Sequence, residues 1–261
     1  MAKNRSRMDT MHLDTSAMVC SVLPHAEHGL VLRAFSAGHG LLSAYVQGGR
    51  SSRLRGVLQP GNIVALSLST RAAGQLASAR VELEHPRAAL ATSRAALATL
   101  EWSTALAAAT LPEGVPHPGL HKALDALVQA CAADVPALML GTTLVRYELM
   151  LLADLGFGLD LGSCAATGVR TDLAYVSPRS SQAVSRAAGA PWAARLLPLP
   201  AFLTGPVPAT SRDLEDGLNL TAFFLARHLL AGRHAQLLEA RPLLVSRLTT
   251  AQAMDEPQPS R

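Results

Sequence analysis

This sequence of 261 residues has few cysteines, few lysines and few aromatic residues. Its three cysteines, Cys20, Cys131 and Cys164, lie far apart in the chain, which excludes a disulfide framework and a zinc site of the CxxC type. No apolar run reaches the ~20 residues that a membrane-spanning helix needs, and residues 1–15 lack the apolar core of a signal peptide. We therefore expect a cytoplasmic protein that does not contact membranes.

Charged residues are also sparse, at 16%, but they are unevenly distributed. Residues 1–86 carry nine basic and five acidic side chains, whereas residues 87–261 carry fourteen of each. The net charge of +4 therefore falls in the first third of the chain. A basic segment favours a polyanionic partner such as nucleic acid, because binding releases counterions.

The first third also has the pattern of short β-strands. Five runs of suitable length, bounded by glycine, proline, serine or histidine, are residues 19–23, 29–35, 41–47, 63–68 and 75–83. Five strands in a segment of this length are typical of the OB-fold, a small barrel that commonly binds single-stranded nucleic acid.

Beyond Pro86 the pattern changes to that of helices, predicted over residues 88–109, 120–133, 137–155, 180–188, 212–230 and 235–248. The sequence thus predicts a two-domain α+β protein. Residues 1–86 form a five-stranded OB-fold β-barrel that binds DNA, and residues 87–261 form a mostly α-helical domain. Residues 1–14 and 254–261 are expected to be flexible.

The candidate DNA-binding residues are concentrated between the third and fourth predicted strands. Arg50, Ser52, Arg53 and Arg55 lie in a glycine-flanked stretch that we interpret as a flexible basic loop. Guanidinium groups, hydroxyls and exposed backbone N–H groups all suit phosphate oxygens. Arg33, in the second predicted strand, is a further candidate, and Lys3, Arg5 and Arg7 would extend the same surface. The alternative is a solvated loop that only maintains solubility.

The predicted barrel contains just two aromatic residues, Phe35 and Tyr45. Stacking of bases on aromatic rings is usually a large term in single-strand binding. We therefore expect this domain to bind the DNA backbone electrostatically, so that binding is sensitive to salt, tolerant of sequence, and suited to duplexes as well as single strands.

The motifs of common enzymes are missing: the sequence has no phosphate-binding loop and no nucleophile elbow. Asp213, Glu215 and Asp216 would suit the metal site of a nuclease, but their position at a predicted helix start favours capping. His117 and His121 have the spacing of helical metal ligands, although the intervening proline and glycine favour a surface role. We expect no enzymatic activity and no cofactor.

Several motifs follow one another in a recognisable order. They are GLLSAYVQGGR at residues 40–50, SRLRGVLQPGN at 52–62, LGFGLDL at 155–161, CAATG at 164–168 and YVSP at 175–178. In this order they resemble the RecO family of bacterial recombination mediators. The resemblance implies a protein that binds single- and double-stranded DNA, anneals complementary strands and works with RecR. It also implies contact with the C-terminal tail of single-strand-binding protein, indirect action on RecA, and association with the nucleoid.

One departure from that family concerns metal. Many relatives carry a four-cysteine zinc site in the helical domain, but here only Cys164 stands in that region. Because a tetrahedral zinc site needs four ligands, we expect no metal, and a loop held by packing and hydrogen bonds. Two alternatives to the mediator stay open: a metal-dependent nuclease built on the acidic cluster, and an OB-fold adaptor that binds only protein.

Overall fold

The computed structural model describes residues 11–25, 27, 29–70, 75–133 and 135–255. The chain divides into two compact units. The barrel unit comprises Met1–Leu90 with Thr104–His121, and the helical unit comprises Ala91–Ser103 with Lys122–Arg261. Residues 104–121 thus group with the barrel although they follow the predicted domain boundary after residue 86, and that boundary stays a prediction.

The barrel unit contains five strands: β1 (Met11–His25), β2 (Gly29–Ser36), β3 (Gly40–Val46), β4 (Ile63–Thr70) and β5 (Ala77–His85). They close into a barrel in the order β1-β2-β3-β5-β4. The β3–β5 pair is parallel and the other four neighbouring pairs are antiparallel. The predicted five-stranded OB-fold barrel, followed by a mostly helical region, is confirmed.

The first strand begins earlier than the sequence pattern predicts. Residues 11–14, expected to be flexible, belong to β1 and pair with β4, from Met11 opposite Thr70 to Asp14 opposite Ser67. The pairing gives the backbone groups of these residues the hydrogen-bond partners that a frayed end lacks, while the flexibility of residues 1–14 stays a prediction. Residues 1–10, including the three basic residues expected to extend the DNA-binding surface, lie outside the described residues.

The interior of the barrel is filled by side chains that alternate along the strands. This core consists of Ala17, Val19, Leu32, Ala34, Ala44, Val46, Leu58, Val64, Leu66, Leu68 and Val81. Leu58 belongs to no strand. It lies in the connection between β3 and β4, so that this connection is fixed to the core.

The close approach of Gly40 to Val115 yields a test of the barrel unit. Gly40 has a φ of 70°, and a Cβ at this position would lie 2.1 Å from the Val115 carbonyl oxygen. We expect Gly40→Ala to lower the free energy of unfolding by about 2–3 kcal/mol, because it combines left-handed backbone strain with a backbone clash.

Gly114→Ala is the matched control, since Gly114 has a φ of 72° but open space around it. Backbone strain alone should cost it about 1 kcal/mol. Urea unfolding of both variants measures the difference. Equal losses would mean that the approach to Val115 contributes nothing to stability.

Helices dominate the chain after the strands of the barrel. They are α2 (Arg94–Thr110), α3 (Pro118–Ala132), α4 (Ala137–Asp154), α5 (Arg186–Gly189), α6 (Ser211–His228) and α7 (Arg241–Asp255). A single turn, α1 (Ser52–Arg55), lies between β3 and β4. Within the described residues, none of the helices is both long enough and apolar enough to span a membrane.

The helical unit also contains a small sheet that the sequence pattern does not predict. Its strands are β6 (Leu173–Val176), β7 (Ala183–Ser185) and β8 (Leu197–Pro198), in the antiparallel order β7-β6-β8. The predicted helix over residues 180–188 is therefore wrong for its first part, which contains β7, whereas residues 186–188 are helical and belong to α5. Strands of two to four residues are too short to establish a period, and β7 forms because it pairs with β6.

The C-terminal helix also differs from its prediction. A 3₁₀ helix, Gly232–Ala240, precedes α7, so the predicted helix over residues 235–248 is divided in two. Helix α7 extends to residue 255, and the expectation that residues 254–261 are flexible stays a prediction. Residues 256–261 lie outside the described residues.

A buried ion pair ties α7 to the rest of the helical unit. The guanidinium group of Arg241 donates to both carboxylate oxygens of Glu148 on α4, at 2.5 and 2.9 Å. Glu148 is fully buried, and its carboxylate also accepts from Trp102 Nε1 at 2.6 Å and from Thr221 Oγ1 at 2.5 Å. Arg241 additionally donates to the Leu218 carbonyl and lies over the Trp102 ring. The network joins α2, α4, α6 and α7 through one carboxylate.

Candidate nucleic-acid interface

A groove with a volume of about 980 Å³ runs across the barrel surface. Its lining comes from β3, β4, β5 and the segment that contains α1, and includes Tyr45, Ser51, Arg53, Ser78, Arg80 and Glu82. Two guanidinium groups and one carboxylate leave this lining with an excess of positive charge. Hydroxyls and guanidinium groups together are the donors that phosphate oxygens accept from.

The segment with the predicted DNA-binding arginines contains a single turn of helix, α1. The Arg55 N–H donates to the Ser51 carbonyl at 3.1 Å, and the Leu58 N–H donates to the Leu54 carbonyl at 2.9 Å. These local hydrogen bonds close one turn of helix within the connection that was predicted to be a flexible basic loop. Gly48, which has a φ of 66°, allows the chain to turn away after the end of β3 and before α1 begins.

Two contacts hold this turn on the barrel. Leu58 is buried in the barrel core, and Asn62, which is 2% exposed, donates from its side-chain amide to the carbonyls of Gly56 and Val57. The side-chain oxygen of Asn62 accepts from the N–H of Ala88 at 3.0 Å. The arginine-bearing turn is thus anchored at its C-terminal end.

The residues of this segment that were predicted to bind DNA are all exposed to solvent. Arg50, Ser52, Arg53 and Arg55 are exposed, and Arg53 is the one among them that lines the groove. Arg50 donates to the Glu27 carbonyl at 3.1 Å. The segment therefore presents three guanidinium groups on or beside the groove.

Arg33 does not belong to this group. It lies outside the groove lining, and its guanidinium group contacts Glu113 Oε1 at 3.4 Å. The same carboxylate oxygen accepts from Ser43 at 2.6 Å. With one carboxylate already beside it, Arg33 has less charge to offer a phosphate, and its role in DNA binding stays a prediction.

Sequence reasoning missed Arg80, which lines the groove from β5. The signal was available in the alternation of residues 79–84, in which Arg80, Glu82 and Glu84 share the outer face of the strand. What the sequence lacked was the neighbouring strand, because only the parallel pairing of β5 with β3 brings Arg80 to the same groove as Arg53.

The acidic cluster of the nuclease alternative lies in the first turns of α6, where one of its members, Asp213, caps the helix. Thr210 is the N-cap of α6, and it forms a reciprocal capping box with Asp213. Asp216 lies 3.9 Å from Arg212, and burial raises the pKa of its carboxyl while Arg212 opposes the shift. Among the described residues, no group of three or more histidine, cysteine, aspartate or glutamate side chains is placed to hold a metal ion.

Cys164 has a defined hydrogen-bonding environment. It is 2% exposed, and its sulfur accepts from the Ser185 N–H at 3.2 Å. Hydrogen bonds from Ser185 and then Thr167 lower the pKa of the thiol from 9.0 to about 6. Backbone hydrogen bonds close the surrounding turn, including those from Gly168 to the Cys164 carbonyl and from Ala165 to the Ala183 carbonyl.

These surroundings do not fit a four-cysteine zinc site. One sulfur is present, and the groups bonded to it are a backbone N–H and hydroxyl-bearing residues rather than further metal ligands. Within the described part of the chain the donor set for a tetrahedral zinc ion is therefore incomplete. Backbone hydrogen bonds connect the turn instead.

The barrel order and its parallel closure define an OB-fold protein with a basic groove. Comparison with known proteins agrees with this class. Residues 8–87 match the family model described as Recombination protein O N terminal, and residues 91–237 match Recombination protein O C terminal.

Curated relatives match almost the whole chain. The DNA repair protein RecO of Rhodospirillum rubrum is 45% identical over 243 residues, which cover 91% of this chain and 96% of that protein. The protein of the same name from Methylobacterium nodulans is 45% identical over 253 residues, covering 93% of this chain and all of the relative. The protein of the same name from Caulobacter vibrioides is 40% identical over 243 residues, which cover 92% of this chain and 99% of that protein. The chain belongs to the RecO family of DNA repair proteins.

Proposed function

We propose that this chain is a recombination mediator that binds single- and double-stranded DNA at the barrel groove and anneals complementary strands without catalysing a reaction. The observation that carries the proposal is the groove itself, with Arg53 and Arg80 in its lining and Arg50 and Arg55 exposed beside it. Exposed cations on an OB-fold barrel suit the phosphate backbone of either form of DNA.

Annealing needs a surface that holds strands without reading their bases. The groove lining is rich in hydroxyl and guanidinium groups, which bind phosphates and carry no sequence information. Neutralising phosphates on two strands lowers their mutual repulsion, and this accelerates pairing without ATP or metal. The proposed DNA contacts are Arg50, Ser52, Arg53 and Arg55, with Arg33 as a more distant candidate.

Membership of the family supports the partners proposed here. They are RecR, the C-terminal tail of single-strand-binding protein and, indirectly, RecA, which the mediator helps to load onto coated DNA. The setting is the cytoplasm, at the nucleoid where the DNA is.

A strand-annealing assay tests the proposal. Purified protein is mixed with complementary oligonucleotides in the absence of ATP and magnesium, at about 50 mM and about 200 mM salt. We expect annealing faster than the spontaneous rate, with an acceleration that decreases at the higher salt. Absence of both binding and annealing would overturn the proposal and favour an adaptor that binds only protein. Cleavage on addition of magnesium would favour the nuclease.

A further inference from the structure

The chain has two tryptophans in contrasting surroundings, both in the helical unit. Trp102 is 3% exposed and hydrogen-bonded to Glu148, whereas Trp192 is 58% exposed. Burial of a tryptophan is one of the largest apolar contributions that a side chain makes to stability, so a solvated ring forgoes that gain. A ring left in solvent on a defined surface is available to a ligand.

Trp192 lies on a short 3₁₀ helix that begins where the chain packs against the small sheet. The helix spans Ala190–Arg195, and the guanidinium carbon of Arg195 lies 5.9 Å from the centre of the Trp192 ring. The residue before this helix, Gly189, packs so closely on Tyr175 of β6 that a Cβ would lie 2.5 Å from the ring. The indole is therefore presented by an element fastened to the small sheet, beside a cation.

The small sheet and its connections are also basic. Residues 169–198 contain four arginines, Arg170, Arg179, Arg186 and Arg195, and one acid, Asp172, so their net charge is +3. The whole segment from 87 to 261 is balanced, with fourteen charges of each sign. All four arginines are exposed, and one of them, Arg186, pairs with Asp172 at 3.1 Å. The segment that carries the exposed ring is thus more basic than the rest of residues 87–261, and one of its arginines, Arg195, lies beside the ring.

We propose that Trp192 and Arg195 form a stacking platform for an unpaired base, in a second surface for single-stranded DNA within the helical unit. The inference rests on the proposed function and extends it. The barrel groove has one aromatic residue, Tyr45, in its lining and depends on charge, which acts on duplexes and single strands alike. An accessible indole selects unpaired bases, because bases within a duplex are already stacked. Charge complementarity between phosphates and the exposed arginines of this segment, Arg195 first, favours DNA over an apolar peptide as the occupant.

Affinity measurements on the full chain test the platform. Fluorescent single strands of thymidine and matched duplexes are titrated with the protein and followed by anisotropy. We expect Trp192→Ala to weaken single-strand binding about tenfold, since stacking contributes about 1–3 kcal/mol per base. Duplex binding should change less than twofold, and Trp192→Phe should retain part of the single-strand affinity.

Two control variants separate the platform from general surface effects. Met139→Ala is the control for Trp192→Ala, because it removes an apolar side chain of similar exposure, 57%. Arg212→Ala is the control for Arg195→Ala, because it removes an arginine whose side chain is 90% exposed. Both controls should bind single strands like the wild type, whereas Arg195→Ala should weaken them several-fold. Circular dichroism should show the same helix content in all variants.

Tryptophan fluorescence gives an independent reading, because Trp192 is the exposed member of the pair. Single-stranded DNA should quench the emission of the wild type but leave that of Trp192→Phe, which retains the buried Trp102, nearly unchanged. If the wild type binds DNA and Trp192→Ala binds single strands equally well, the platform is wrong, and the ring serves a protein contact instead. If the wild type binds no DNA, the proposed function fails with it.

Discussion

Replacing Arg50, Arg53 and Arg55 together with alanine is expected to weaken binding of single-stranded DNA about 100-fold at about 0.1 M salt. All three side chains are exposed on the turn beside the groove. Each contact between a cation and a phosphate contributes about 0.7 to the slope of log affinity against log salt for single strands, so three contacts contribute about 2. If the wild type and the variant bind equally at about 1 M salt, where charge is screened, a difference of about 2 in this slope gives a difference of about 100-fold in affinity at about 0.1 M.

The measurement is the salt dependence of affinity for wild type and variant, by anisotropy at four or more salt concentrations. A triple variant of the helical unit, Arg94→Ala/Arg212→Ala/Arg247→Ala, removes the same formal charge and is the matched control. It should leave the slope nearly unchanged. If both triple variants lost the same affinity and the same slope, only net charge would matter, and the site would not be at α1.

The second large effect concerns stability. Arg241→Met should lower the free energy of unfolding by about 3–5 kcal/mol, because it leaves the Glu148 carboxylate buried without its cation. A loss of this size is a large part of the 5–15 kcal/mol that is typical of folded domains. Glu148 would keep its bonds from Trp102 and Thr221, but neither of these donors carries a compensating charge.

Urea unfolding of two further variants tests this account. Arg212→Met breaks the exposed contact with Asp216 at 3.9 Å, and it should cost less than about 1 kcal/mol. Combining Arg241→Met with Glu148→Gln removes the buried charge as well as its partner, so the double variant should be more stable than Arg241→Met alone. A double variant that is less stable than Arg241→Met would show that the hydrogen bonds of Glu148, rather than its charge, set the cost.

The parts of the fold that could be predicted are those whose strands and helices have a clear pattern in the local sequence. The β4 alternation of residues 63–68 and the glycine and proline boundaries of the first third predict strands, and the five strands are present. The small sheet of β6, β7 and β8 could not be predicted in this way. Its strands have two to four residues, and each exists only because of its partners.

The residues of the candidate site were likewise predictable only where they are close together in sequence. The arginines of residues 50–55 stand out because they are close together in sequence, and they are exposed as expected. Arg80 joins the groove from 27 positions beyond Arg53, and Arg33 meets a carboxylate 80 positions away in Glu113. Contacts of such separation depend on strand order and facing, which no local pattern encodes.

The parallel pairing of β3 with β5 closes the barrel through two residue pairs, Ala44 with Ala77 and Tyr45 with Ser78, whereas β2 and β3 share seven. Tyr45 and Ser78 also line the groove. One of the two residue pairs that close the barrel thus also lines the groove, and any ligand that widened the groove there would act directly on the shortest strand pairing in the barrel. Insertions or deletions near this seam would alter the width of the groove and the closure of the barrel together, so the two properties have little freedom to diverge in evolution.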